Sequence, residues 1–99
     1  LLSRQFRTKN SIFLFLLKIF MEKKIKLLWD FRGPDAKQIA EHYDHHLQEF
    51  IEANKLKNDI TGVENISDMY SIAFMVIDED EFEMVRNVLK PKRGTVYEG

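Results

Sequence analysis

No cysteine occurs in this 99-residue chain, which excludes disulfide staples, thiolate metal sites and thiol catalysis. The absence suits a reducing compartment, and a cytoplasmic location is the expectation. Proline and glycine are scarce, with two and four copies, and there is no internal repeat, Gly/Ser linker or low-complexity tract. No apolar run reaches the roughly 20 residues that a membrane-spanning helix requires. A hydrophobic share of 44% and a charged share of 31% are ordinary for a single folded domain and exclude wholesale disorder.

Charge is unevenly placed. Residues 1–20 carry Arg4, Arg7, Lys9 and Lys18 without an acid, for +4, whereas the remaining 79 carry eleven Lys/Arg against sixteen Asp/Glu, for −5. An acidic body weighs against nucleic acid, because phosphate contacts depend on a basic surface, and nucleic acid is not an expected partner. The first twenty residues form a basic, apolar extension that lacks a small-residue cleavage site. Met21 opens an ordinary segment, Met-Glu-Lys-Lys-Ile-Lys, and is expected to be the natural start. The domain is therefore placed at residues 21–99, with no membrane contact unless residues 1–20 are a genuine anchor.

Within that domain, Ile25, Leu27, Trp29 and Phe31 alternate with more polar neighbours, the period of a half-buried strand. Arg32, Gly33, Pro34 and Asp35 break it. A helix follows from about residue 34 to residue 54 or 56, with Ala36, Ile39, Ala40, Tyr43, Leu47, Phe50 and Ile51 as its apolar face. Residues 60–66 read as a weaker strand interrupted by Gly62. Residues 70–77, Tyr-Ser-Ile-Ala-Phe-Met-Val-Ile, are apolar on both faces, as in a central strand covered on two sides. Asp78, with Glu81 three residues on, suits the start of a second helix. That helix carries Phe82, Val85, Val88 and Leu89 inward and stops at Pro91. Residues 95–97 form a short last strand.

The order β-α-β-β-α-β predicts an α+β, ferredoxin-like fold with an antiparallel sheet and two helices on one face. Two helices cover one face of a sheet, so the other face is expected to meet a second copy, giving a homodimer. Over residues 24–97 this arrangement resembles small ferredoxin-like proteins that pair as dimeric α+β barrels. The turn at residues 29–35 and the H-x-x-H-H segment of His42, His45 and His46 are similar to those of YCII-type proteins. The resemblance implies a fold and a cavity, not a reaction.

All three histidines lie on the first helix. With Tyr43 taken as the centre of the buried face, His42, His46 and Glu49 fall on one line beside the core, and His45 points to solvent. His42 and His46 are candidate general bases or proton donors. The same pair with Glu49 is a candidate metal set, although the Glu of an H-E-x-x-H motif is missing; the competing reading makes these side chains hydrogen-bonded packing residues. Trp29, Asp30, Arg32, Tyr43 and Tyr70 are candidate ligand contacts, with Trp29 and Tyr43 as pocket walls between sheet and helix. Asp30 and Arg32 share the other strand face, suited to an ion pair or a carboxylate ligand. Lys90, Lys92 and Arg93 form a small basic patch. No cofactor is expected, and a small molecule is the expected ligand. The alternative is a non-catalytic interaction or scaffold protein whose histidines are incidental.

Overall fold

A computed structural model describes residues 23–98; the expectations for residues 1–20 lie outside them. Among these residues the fold is α+β, with a four-stranded antiparallel sheet and two α-helices. Strand β1 (Lys24–Arg32) leads into helix α1 (Ala36–Asn54), followed by β2 (Thr61–Ser67) and β3 (Tyr70–Asp78). A 3-10 turn (Glu79–Glu81) then precedes helix α2 (Phe82–Leu89) and strand β4 (Arg93–Tyr97). The sheet order is β2-β3-β1-β4.

Period-2 alternation in β1 divides the molecule. Ile25, Leu27 and Trp29 stand opposite Ile77, Met75 and Ala73 of β3. Leu27, Trp29, Ala73, Met75 and Ile77 join Ala40, Leu47 and Ile51 of α1 and Val85 of α2 in one core. Both helices therefore pack on the same side. Trp29 faces Ala73, so the largest core side chain lies beside one of the smallest. The intervening positions, Lys26, Leu28, Asp30 and Arg32, pair with Val76, Phe74, Ile72 and Tyr70 and make up the opposite face. Strand β3 is buried on both faces, as its apolar sequence predicts: Met75 and Ile77 on one, Ile72 and Val76 on the other.

The breaks have local causes. Gly33 adopts φ +118°, a conformation that favours glycine, and its N–H donates to the carbonyl of Met69, 2.8 Å away, fastening the β1–α1 turn to the β2–β3 hairpin. Helix α1 begins at Ala36, two residues later than Pro34, because residues 33–35 are taken up by this turn. Gly62 interrupts the apolar pattern of β2 because the Phe74 ring lies over it; a Cβ there would sit 2.7 Å from that ring. The acids at the start of α2 also hold the α1–β2 loop. Asn58 donates to Asp78 (2.7 Å), Lys57 N to Glu81 (3.2 Å), and Lys57 Nζ bonds Asp80.

The buried stripe of α1 is rotated from its expected position. Ala36, Ala40, Leu47 and Ile51 are its buried residues, and Tyr43 and Phe50 are only half-buried. At about 100° per residue the stripe centres roughly 50° from Tyr43, toward Ala40 and Leu47. Two alanines let the helix backbone approach the sheet closely, and alanine adds little to a hydrophobic pattern read from sequence. Ile39, expected inside, is consequently 48% exposed. Val88 in α2 is also exposed, lying well off the line through Phe82, Val85 and Leu89.

Truncating Leu47 to alanine should therefore cost about 2–5 kcal/mol in urea unfolding. Val88→Ala should stay within about 0.5 kcal/mol of the native chain. A large loss at Val88 would contradict the placement of α2.

Candidate functional site

The five expected ligand contacts do not share one pocket. Trp29 is buried on the helix side. Its indole N–H donates to the Leu89 carbonyl at 3.1 Å, and its ring lies 5.3 Å from that of Tyr43. Phe31 meets the same tyrosine at 5.5 Å. These three rings occupy the space between β1 and α1, and burial pushes the Tyr43 hydroxyl above its ordinary pKa. Among the described residues, three surface grooves are lined by neither Trp29 nor Tyr43.

Asp30, Arg32 and Tyr70 lie on the other face, where they form a site of their own with Arg93. Arg93 grips Asp30 with two nitrogens: Nη2 donates to Oδ1 at 2.9 Å and Nε to Oδ2 at 3.2 Å. Such bidentate pairs are geometrically specific as well as strong. The Tyr70 hydroxyl donates to Asp30 Oδ1 and accepts from Arg93 Nη2 at 3.2 Å. Arg32 stacks on the Tyr70 ring, 4.0 Å from its centroid. The expected Asp30–Arg32 ion pair is thus replaced by Asp30–Arg93, and Arg93 leaves the basic patch assigned to it with Lys90 and Lys92. Next along the same face, Lys26 pairs with Glu64 and sits 4.3 Å from the centroid of Phe74.

Sequence reasoning missed Arg93 as a partner of Asp30. Strands β1 and β4 are antiparallel with Leu28 opposite Arg93, which puts Asp30 diagonally across on the same face, within reach of a long side chain. The alternation of β1 announces the face of Asp30. The register that brings Arg93 to it arises only on folding.

On α1, His42 and His46 do come together, with Nε2 atoms 3.0 Å apart and rings edge to face. His46 Nδ1 meets Glu49 Oε1 at 2.8 Å. The whole line is exposed, because the shift of the buried stripe toward Ala40 turns it away from the sheet. His45 is exposed too, yet its Nε2 lies 3.9 Å from the other Glu49 oxygen. Among the described residues, no group of three or more His, Asp or Glu is arranged to hold a metal ion, and no helix is long and apolar enough to cross a membrane.

No family model matches this chain, and no curated protein or solved structure matches it. Any functional reading therefore rests on geometry.

The Asp30 carboxyl is held below its ordinary pKa by hydrogen bonds from Arg93 and then Tyr70, against the opposing effect of burial. The Tyr70 hydroxyl is raised, chiefly by its bond to Asp30. A depressed carboxyl pKa contributes stability that is present above its unfolded value and lost as pH falls through the folded one. Arg93→Ala should move the Asp30 titration, followed by carboxyl NMR, up toward the ordinary value. It should also diminish the part of acid destabilisation that sets in below about pH 4. An Asp30 titration unchanged in that variant would contradict the described pairing.

Proposed function

We propose that this chain is a ferredoxin-like domain that pairs with a second copy through the sheet face opposite α1 and α2 and holds a small carboxylate-bearing ligand there. The ferredoxin-like assignment is supported by the element order β-α-β-β-α-β. It is also supported by the antiparallel ladder, in which β3 separates β1 from β2 and β1 separates β3 from β4. Pairing is supported by the composition of that face. On that face half-buried Phe74 borders Leu28, Ile72 and Val76, which are already buried in the single chain, and the Asp30–Tyr70–Arg93 network and the Lys26–Glu64 pair flank them. The apolar surface this face offers a partner is centred on Phe74, with polar groups at its margin as in a protein interface.

The observation that carries the ligand reading is the pairing of the two arginines with Tyr70. Asp30 orients Arg93 and the Tyr70 ring supports Arg32, which has no carboxylate partner among the described residues. Arginine on an aromatic face is suited to receiving a planar carboxylate. Binding here needs no opening between β1 and α1. A cytoplasmic setting accords with the absence of cysteine.

The second reading, a non-catalytic interaction domain, is favoured by the Trp29–Phe31–Tyr43 packing, which fills the space first expected to hold a ligand. Under it the dimer is the functional unit and the arginines serve only the interface.

Sedimentation equilibrium of the full chain at micromolar concentration should give a dimer. Phe74→Lys, half-buried on the proposed interface, should give a monomer with an unchanged far-ultraviolet spectrum. A native chain that sediments as a monomer would contradict the pairing. Arg32→Ala should keep the dimer but lose binding of carboxylate fragments in a ligand-observed NMR screen. Retained fragment binding in that variant, or none to the native protein, would leave the interaction-domain reading in its place.

A further inference from the structure

We propose that His42 and His46 chelate a divalent transition-metal ion of the nickel or copper class on the solvent face of α1, with Glu49 as a positioning residue. The two Nε2 atoms are 3.0 Å apart across one helical turn. Two metal–nitrogen bonds of roughly 2.0–2.1 Å spanning that gap enclose an angle of about 91–97° at the metal. That is the cis angle of tetragonal or octahedral coordination, characteristic of copper and nickel. A tetrahedral zinc site would need the nitrogens roughly 3.3 Å apart with the same bond lengths.

Glu49 leaves the ligand set that sequence spacing suggests for it. Its Oε1 sits 2.8 Å from His46 Nδ1, the nitrogen on the other side of the ring from the chelating atom. A carboxylate in that position accepts a hydrogen bond from Nδ1–H, fixes the tautomer with a free lone pair on Nε2, and raises the basicity of the ligand. Without metal, one Nε2–H bridges the two rings. On chelation His42 changes tautomer, its proton passing through water from Nε2 to Nδ1, and both Nε2 atoms turn their lone pairs to the metal. The protein supplies two donors and water completes the sphere, in keeping with the absence of any larger donor group among the described residues. The rotation that exposes the histidine line gives the ion access. The rigidity comes from the opposite face of α1, where Ala40, Leu47 and Ile51 are fixed in the core. His42, His45 and His46 are all the histidines in the sequence, so each donor can be tested singly.

The experiment is calorimetric titration of the tag-free full chain with Ni²⁺. Saturable one-to-one binding is expected. His42→Ala and His46→Ala should each weaken it at least tenfold, and His45→Ala should leave it within about twofold. Glu49→Ala should weaken it about 10–100-fold, the usual effect of removing an outer-shell partner. Because all four side chains are exposed, the variants should retain the native circular dichroism. Unaltered binding in His42→Ala or His46→Ala, or loss in His45→Ala, would overturn the donor set. Unaltered binding in Glu49→Ala would overturn the positioning role, and tighter binding of Zn²⁺ than of Ni²⁺ would overturn the coordination geometry.

Discussion

The single indole of this protein joins three elements. Trp29 lies in β1, rests its ring on Tyr43 of α1, and donates its N–H to the carbonyl of Leu89 at the end of α2. A buried indole requires a partner for that N–H, and a helix terminus has unpaired carbonyls to offer. Each need meets the other. The strict alternation of β1 then places Asp30, its neighbour in sequence, on the opposite face. Fixing Trp29 inside thus determines where Asp30 and Arg32 point.

From that constraint follows a division of labour between the two faces. The helix side is packed with aliphatic and aromatic side chains, and the three rings around Tyr43 fill the place where a cavity was expected. The side opposite α1 and α2 carries the polar network of Asp30, Tyr70 and Arg93, with Arg32 stacked beside it. The reading of this molecule therefore moves from the layer between sheet and helix to its two outer surfaces. One is the sheet face with its two arginines, and the other is the solvent face of α1 with its paired histidines.

Much of the fold was legible because it depends on local chemistry. Alternation at residues 25–31 marks β1, Gly33 marks the turn, and a run apolar on both faces marks β3 as central. Pro91 marks the stop after α2. Helix rotation was less legible. Ala36 and Ala40 set the buried direction of α1, yet they contribute little to an apolar pattern dominated by Ile39, Tyr43 and Phe50. That difference of roughly 50° separates histidines beside a core from histidines in water. The partnership of Asp30 with Arg93 was not legible at all, because it depends on the β1–β4 register and joins residues far apart in sequence. His42 and His46 were found by spacing alone, since i, i+4 neighbours on a helix meet regardless of tertiary structure.

The proposal that a second copy pairs on the sheet face opposite α1 and α2 is tested most directly by amide NMR of the full chain across a concentration series. Shifts that grow with concentration should concentrate at Leu28, Asp30, Arg32, Tyr70, Ile72 and Phe74, leaving Trp29 and the buried positions of α1 unmoved. Concentration-dependent shifts gathered instead around Trp29, Tyr43 and Leu47 would contradict the account.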